Sequence, residues 1–154
     1  MTRHSRDRLE AAFARIDDPR GEGTRAFVSI DRERARAQAD AADRRAAMGM
    51  SLGPLDGRIV SIKDCFDVRG EPTRAAAKSM WDAGPANADA PAVARLRRAG
   101  AVFVGRTNMS EFAFTGLGLN PHHGNPANPR DRTRCPGGSS SGSAAAVADG
   151  QVTL

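Results

Sequence analysis

The order of apolar and polar positions divides the chain into a helical first stretch and a mixed second one. Leu9, Phe13 and Ile16 recur at i, i+4 and i+7, the spacing of one helix face. Asp17-Asp18-Pro19-Arg20-Gly21 then breaks the pattern with turn-forming residues. Ala26-Phe27-Val28-Ser29-Ile30 reads as a short strand. Asp31 is placed to cap a second helix over residues 34–48. Ala35, Ala39, Ala42 and Ala46 form its stripe, and side chains that small let another surface approach closely. Residues 48–57, with Gly53-Pro54, form a turn-rich connection.

The period changes after that connection. Residues 58–66 read as a mostly buried strand. Residues 71–89, rich in Pro, Gly and Ala, predict irregular chain with a turn of helix near 75–80. Residues 91–99 predict a short helix with Val93 and Leu96 inward, ended by Gly100. Residues 101–105 are the next strand, and Thr107 or Asn108 opens a short helix through Glu111 and Phe112. A polar, irregular loop covers 120–134. A Gly/Ser loop, Pro136-Gly137-Gly138-Ser139-Ser140-Ser141-Gly142, then feeds an Ala-rich helix, and Gln151-Val152-Thr153-Leu154 reads as the start of a buried strand. Helix, glycine and buried strand in succession predict an α/β sheet.

Composition narrows the class. With 154 residues, 40% hydrophobic and 27% charged, the chain is of the globular kind, neither disordered nor collagenous. No apolar run approaches the ~18 residues of a membrane span, and residues 1–15 are charged throughout, without a signal-peptide core. Cys65 and Cys135 are isolated, so neither a disulfide framework nor a zinc site is expected. These absences predict a cytoplasmic protein. The net charge of +5 invites a nucleic-acid partner. The basic residues, however, alternate with acids, as in Asp31-Arg32-Glu33-Arg34, which is the pattern of solvated helix faces. Only Lys63 and Lys78 among the 23 basic residues are lysines, which draws attention to each.

The Gly/Ser loop has three physical readings: a flexible linker, an anion cradle at a helix N-terminus, or a catalytic loop. A linker seldom runs straight into a helix. The phosphate-loop pattern asks for Lys after its last Gly, where this chain has Ser143. A catalytic serine needs a base. His4 and the His122-His123 pair lie in polar segments, which leaves a Ser-Lys arrangement. Arginine cannot serve, because it does not give up its proton. Lys63, between Ile62 and Asp64 in an apolar strand, is the candidate, whereas Lys78 reads as an ordinary exposed residue. Cys65, two positions on in the same strand, shares its face and is a weaker nucleophile candidate, with no His to orient it.

Gly53-Pro54-Leu55-Asp56-Gly57, Ser61-Ile62-Lys63-Asp64, the stretch from Ala101 through Thr107-Asn108-Met109 to Phe112, and the Gly/Ser block resemble the amidase signature hydrolases in order and separation. The resemblance runs from about Gly53 to Leu154. It implies a mixed β-sheet flanked by helices, with residues 1–52 an N-terminal helical segment and 53–154 the first part of the catalytic domain. It further implies a Ser–cis-Ser–Lys unit working through an acyl-enzyme, with no metal or cofactor. Lys63 would be the neutral base and Ser139 the bridging serine, preceded by a cis peptide bond. Asn108, Met109, Gly137 and Gly138 would line the substrate. The family's nucleophilic serine belongs to a second glycine motif, which these residues do not contain. The resemblance thus implies an incomplete catalytic domain, inactive alone, whose parent hydrolyses a small-molecule amide. The alternative is a protein similar to the A-subunit of glutamyl-tRNA amidotransferase, and a remote one is a non-catalytic anion-binding module. Neither membrane nor nucleic acid is an expected partner, and the oligomeric state stays open.

Overall fold

A computed structural model of the chain describes residues 4–154; Met1, Thr2 and Arg3 of the charged N-terminal stretch lie outside the described residues. The elements are α1 (Ser5–Ile16), α2 (Gly23–Ala26), β1 (Phe27–Ile30), α3 (Arg32–Ala47), β2 (Ile59–Lys63), α4 (Pro91–Arg98), β3 (Val102–Thr107) and α5 (Ser141–Ala148). Single 3-10 turns cover Lys78–Met80 and Glu111–Ala113. The architecture is α/β, a mixed three-stranded sheet flanked by helices, in the order β1-β3-β2. β3 runs antiparallel to β1 and parallel to β2. Parallel neighbours need a crossover, and α4 supplies it between β2 and β3.

Each face of the sheet has its own core. Ile59, Val102 and Val104 pack with Leu9, Phe13 and Ile16 of α1 and with Ala145 and Ala146 of α5. Val60, Ile62 and Phe103 pack on the other face with Val68 and with Val93 of α4. The alternation follows from the two-residue period of a strand. β1, from the first 52 residues, pairs with β3, so both stretches of the chain build one sheet.

α1 begins without a side-chain cap of its own. Its first N–H groups are taken by Asp43 of α3, at 2.6 Å from Ser5 and 3.0 Å from Arg6. That contact satisfies donors that a helix start leaves open. α3 is capped as the sequence predicts, with Asp31 accepting from the N–H of Arg34 at 3.0 Å. Its stripe stops early: Ala35, Ala39 and Ala42 are buried, but Ala46 is exposed. Among the described residues α1 starts opposite Asp43, and none of their helices covers Ala46.

Other boundaries also move. The strand expected over 58–66 ends at Lys63. The Phe66 N–H turns back to the Lys63 carbonyl, and Cys65 is exposed off the strand rather than beside Lys63. Ala26 closes α2 instead of opening β1. No helix starts at Thr107 or Asn108: β3 runs through Thr107, and the Asn108 backbone is bonded to the Ala26 carbonyl and the Gly142 N–H. The segment 151–154, expected to start a buried strand, forms none and leaves Thr153 and Leu154 exposed, although it bonds to β2 through Thr153 N–H to Ile59 O and Ser61 N–H to Leu154 O. No helix among the described residues is long and apolar enough to cross a membrane.

α4 is fastened to the loop before it by a two-pronged ion pair. Arg97 donates to both oxygens of Asp89, at 2.7 and 2.9 Å, and the Arg69 N–H adds a third bond at 2.8 Å. These donors, Arg97 above all, hold the Asp89 carboxyl at about 2, below its ordinary 3.8. A depressed acid stabilises the fold above its unfolded-state value and loses that contribution as pH falls through its folded one. Stability should therefore drop between about pH 4 and pH 2, and Asp89→Asn should flatten this part of the acid limb in urea titrations.

Candidate active site

Lys63 and Thr107 are the last residues of β2 and β3, and they are register partners. Open α/β sheets bind ligands outside the carboxyl ends of their parallel strands. The Gly/Ser loop passes over this end. Lys63 Nζ donates to Ser139 Oγ at 2.5 Å, joining residues 76 positions apart in sequence. Both side chains are half-buried. The Gly138–Ser139 peptide bond is cis.

Several contacts hold the loop there. The N–H of Ser110 donates to the Ser139 carbonyl at 3.0 Å, and that of Gly138 donates to Gly116 O at 2.8 Å. Gly142, in the first turn of α5, lies against the Ala26 carbonyl and the Asn108 backbone, where a side chain would collide with main-chain atoms. The glycine thus lets α5 approach close enough for Ser143 to share a hydrogen bond with Thr107, Oγ to Oγ1 at 2.6 Å.

The predicted lining residues separate into two pairs. Gly137 and Gly138 are accessible beside Ser139. Asn108 and Met109 are fully buried behind it. The Asn108 amide nitrogen donates to the carbonyls of Arg25 and Gly124, both at 2.9 Å, and its oxygen accepts from the Met109 N–H at 2.8 Å. Asn120 braces the same region, with its side-chain nitrogen bonded to Ala76 O and Met109 O.

Sequence reasoning missed the part played by Asp64. Its carboxylate is buried, accepts from the Ala76 N–H at 2.8 Å and meets Arg106 Nε at 3.3 Å. The main chain of Asp64 bonds Thr107 O and the Ala75 N–H. The turn after the candidate lysine is thus anchored from several sides. A usable signal was present: Arg106 is a charge in an otherwise apolar strand, and such a charge needs a partner. Ala75, Ala76, Phe112 and Ala113 all adopt left-handed backbone angles. The two pairs meet where the Phe112 N–H donates to Ala75 O at 3.1 Å. Non-glycine residues in that region cost about 1–3 kcal/mol each and cluster at functional sites.

Fold and strand-end geometry define an α/β protein with a lysine bonded to a loop serine beside a glycine-rich helix entry. A family model described as Amidase matches residues 7–154, and the chain belongs to that family, the amidase signature enzymes. It is 47% identical over 150 residues to the AtzE subunit of 1-carboxybiuret hydrolase from Pseudomonas sp. (strain ADP), covering 97% of this chain and 33% of that one. It is 46% identical over 148 residues to the glutamyl-tRNA(Gln) amidotransferase A-subunit of Anaeromyxobacter sp. (strain K), covering 96% of this chain and 30% of that one. It superposes on the peptide amidase of Stenotrophomonas maltophilia with a TM-score of 0.85 at 35% identity, over 97% of this chain and 32% of that one. The chain spans about a third of the length of the curated relatives it matches. The match reaches well before Gly53, into the N-terminal helices.

Removing the Asn108 amide would leave the buried Met109 N–H and the part-buried carbonyls of Arg25 and Gly124 without this partner. Asn108→Ala should lower the unfolding free energy by about 2–3 kcal/mol, measured as a shift of the urea midpoint.

Proposed function

We propose that the polypeptide carrying these residues hydrolyses a small-molecule amide to a carboxylic acid and ammonia or an amine. The observation that supports this best is the 2.5 Å contact between Lys63 Nζ and Ser139 Oγ at the strand ends. That distance is within the reach over which a general base takes a proton.

On this scheme the attacking oxygen belongs to a serine of the family's second glycine motif, outside these 154 residues. As that oxygen attacks the carbonyl carbon, its proton passes to Ser139 Oγ, and the Ser139 proton passes to neutral Lys63 Nζ. The proton returns by the same route to the leaving nitrogen as the C–N bond breaks. Water then attacks the acyl-enzyme and gives up a proton along the relay, which returns it to the serine oxygen as the acyl–oxygen bond breaks and the acid leaves. Lys63 is base and then acid within one cycle, and only side chains are used. Gly137 and Gly138 line the amide's path, while Asn108 and Met109 support the loop from behind. The 154 residues alone supply no attacking serine and turn over no amide.

A second scheme, in which the protein supplies ammonia within an amidotransferase complex, is favoured by the 46% identity to a glutamyl-tRNA(Gln) amidotransferase A-subunit. Co-purification with tRNA and partner subunits would support it, and amide hydrolysis by the isolated protein would count against it. For either scheme, Lys63→Ala and Ser139→Ala in the full-length protein should each lower kcat/KM by roughly 10²–10⁴-fold. Thermal melting should stay close to wild type. Turnover near the wild-type rate in a folded Lys63→Ala variant refutes the relay.

A further inference from the structure

Glu22 is a fully buried acid that the proposed relay does not use. It stands at the N-cap of α2, but its side chain does not cap that helix. The carboxylate is turned instead to the loop that precedes the Gly/Ser stretch. Oε2 accepts from the Ala127 N–H and from Arg25 Nε, both at 2.9 Å. Oε1 lies 3.7 Å from Arg132 Nη2 and accepts no hydrogen bond among the described residues. Burying a carboxylate is costly unless it is paired and bonded, so Glu22 and these partners hold one another in place.

Ala127 is at the base of a turn that closes on itself. The Asn128 N–H donates to Arg134 O at 3.0 Å, and inside the turn Asp131 N–H bonds Asn128 O and Arg134 N–H bonds Asp131 O. The chain therefore comes back beside Ala127 at Arg134, just before the Gly/Ser stretch begins. The far end of that stretch enters α5. Asp149, the C-cap of α5, accepts from the Glu22 N–H through Oδ2 at 3.1 Å. The first turn of α5 rests on the same segment, with Gly142 against the Ala26 carbonyl. One residue thus ties both flanks. Its carboxylate holds the turn that leads in, and its N–H holds the helix that leads out. Residues 135–140 lie between, Ser139 among them. Gly138 is exposed and Ser139 half-buried, whereas Glu22 is shut off from water, which strengthens its bonds relative to theirs.

We infer that Glu22 is a positioning residue for Ser139. It acts through the two flanks, by fixing the ends of the 135–140 stretch at the separation that sets Ser139 Oγ against Lys63 Nζ. Its effect on turnover rests on the proposed relay; its effect on the loop does not.

The test uses Glu22→Ala and Glu22→Gln in the full-length protein, with Asp89→Asn as a control for lost stability alone. Glu22→Ala should lower kcat by on the order of 10–100-fold, because a small misplacement of a reacting group is costly. KM should stay close to wild type, because the lost alignment matters to the chemical step. Glu22→Gln keeps an acceptor for the Ala127 N–H and should recover most of the rate. Asp89→Asn should leave kcat unchanged. Amide hydrogen exchange over residues 135–140 should quicken in Glu22→Ala while that of β2 stays as in wild type. Should Glu22→Ala not fold, Glu22→Asp keeps the charge, shortens its reach toward Ala127 and should show both effects in weaker form. Wild-type kcat or unchanged loop exchange in the folded variant overturns the inference, and so does an equal loss of kcat in Asp89→Asn. Near-wild-type turnover in Lys63→Ala removes the relay and with it the role of Glu22 in turnover, whereas loop exchange that still quickens upholds the anchor itself.

Discussion

Parallel pairing of β2 with β3 brings Lys63 and Thr107 to the same level at the strand ends, and the local chemistry is arranged around that level. Antiparallel neighbours would point one of these ends to the opposite side of the sheet. The crossover through α4 makes the parallel arrangement possible, and Gly100 at φ 79° lets the chain turn from that helix into β3. Once the two ends are level, the loop that follows has a fixed rim to settle on. α5 then seats by its glycine, through Gly142 against Asn108, and Ser139 arrives within hydrogen-bond distance of Lys63.

The sheet keeps two kinds of charge apart. Lys63 faces the side covered by α1 and α5, where it meets a hydroxyl and no carboxylate within bonding distance among the described residues. Asp64, one residue later, is turned to Arg106 and the Ala76 N–H. Ending β2 at Lys63 is what permits this. Had the strand continued through residue 66, Asp64 would have stayed within the strand's alternation, without the turn that carries it to Ala75 and Ala76. For the proposed relay, an acid already occupied by other partners leaves the lysine to its hydroxyl.

Much of this was legible from patterns of two kinds. The apolar spacing of Leu9, Phe13 and Ile16, the Asp31 cap and the Gly100 stop each express a local rule, and each is met in the fold. The scarcity of lysine beside a Gly/Ser block singled out Lys63, the family resemblance added Ser139, and these two side chains meet. Failures came where distant residues decide the outcome. Residues 64–66 carry apolar character fit for a strand, but the Asp64 carboxylate bonds the main chain at Ala76 and ends it. Asn108 resembles a helix start in sequence, but its amide is spent on Arg25, Gly124 and Met109. Ala46 continues a periodic stripe that meets no partner helix among the described residues.

The extended segment after α5 adds one more property to β2. Its bonds at Ile59 and Ser61 lie on the edge that β3 does not use. β2 remains an edge strand of the three-stranded sheet, but residues 153 and 154 cover part of its free edge. Backbone groups in such a position exchange hydrogen with solvent only when a larger cooperative unit opens. The Ile59 carbonyl and the Ser61 N–H are thus shielded until the 151–154 segment detaches, while Lys63 lies beyond them at the strand end, beside accessible glycines.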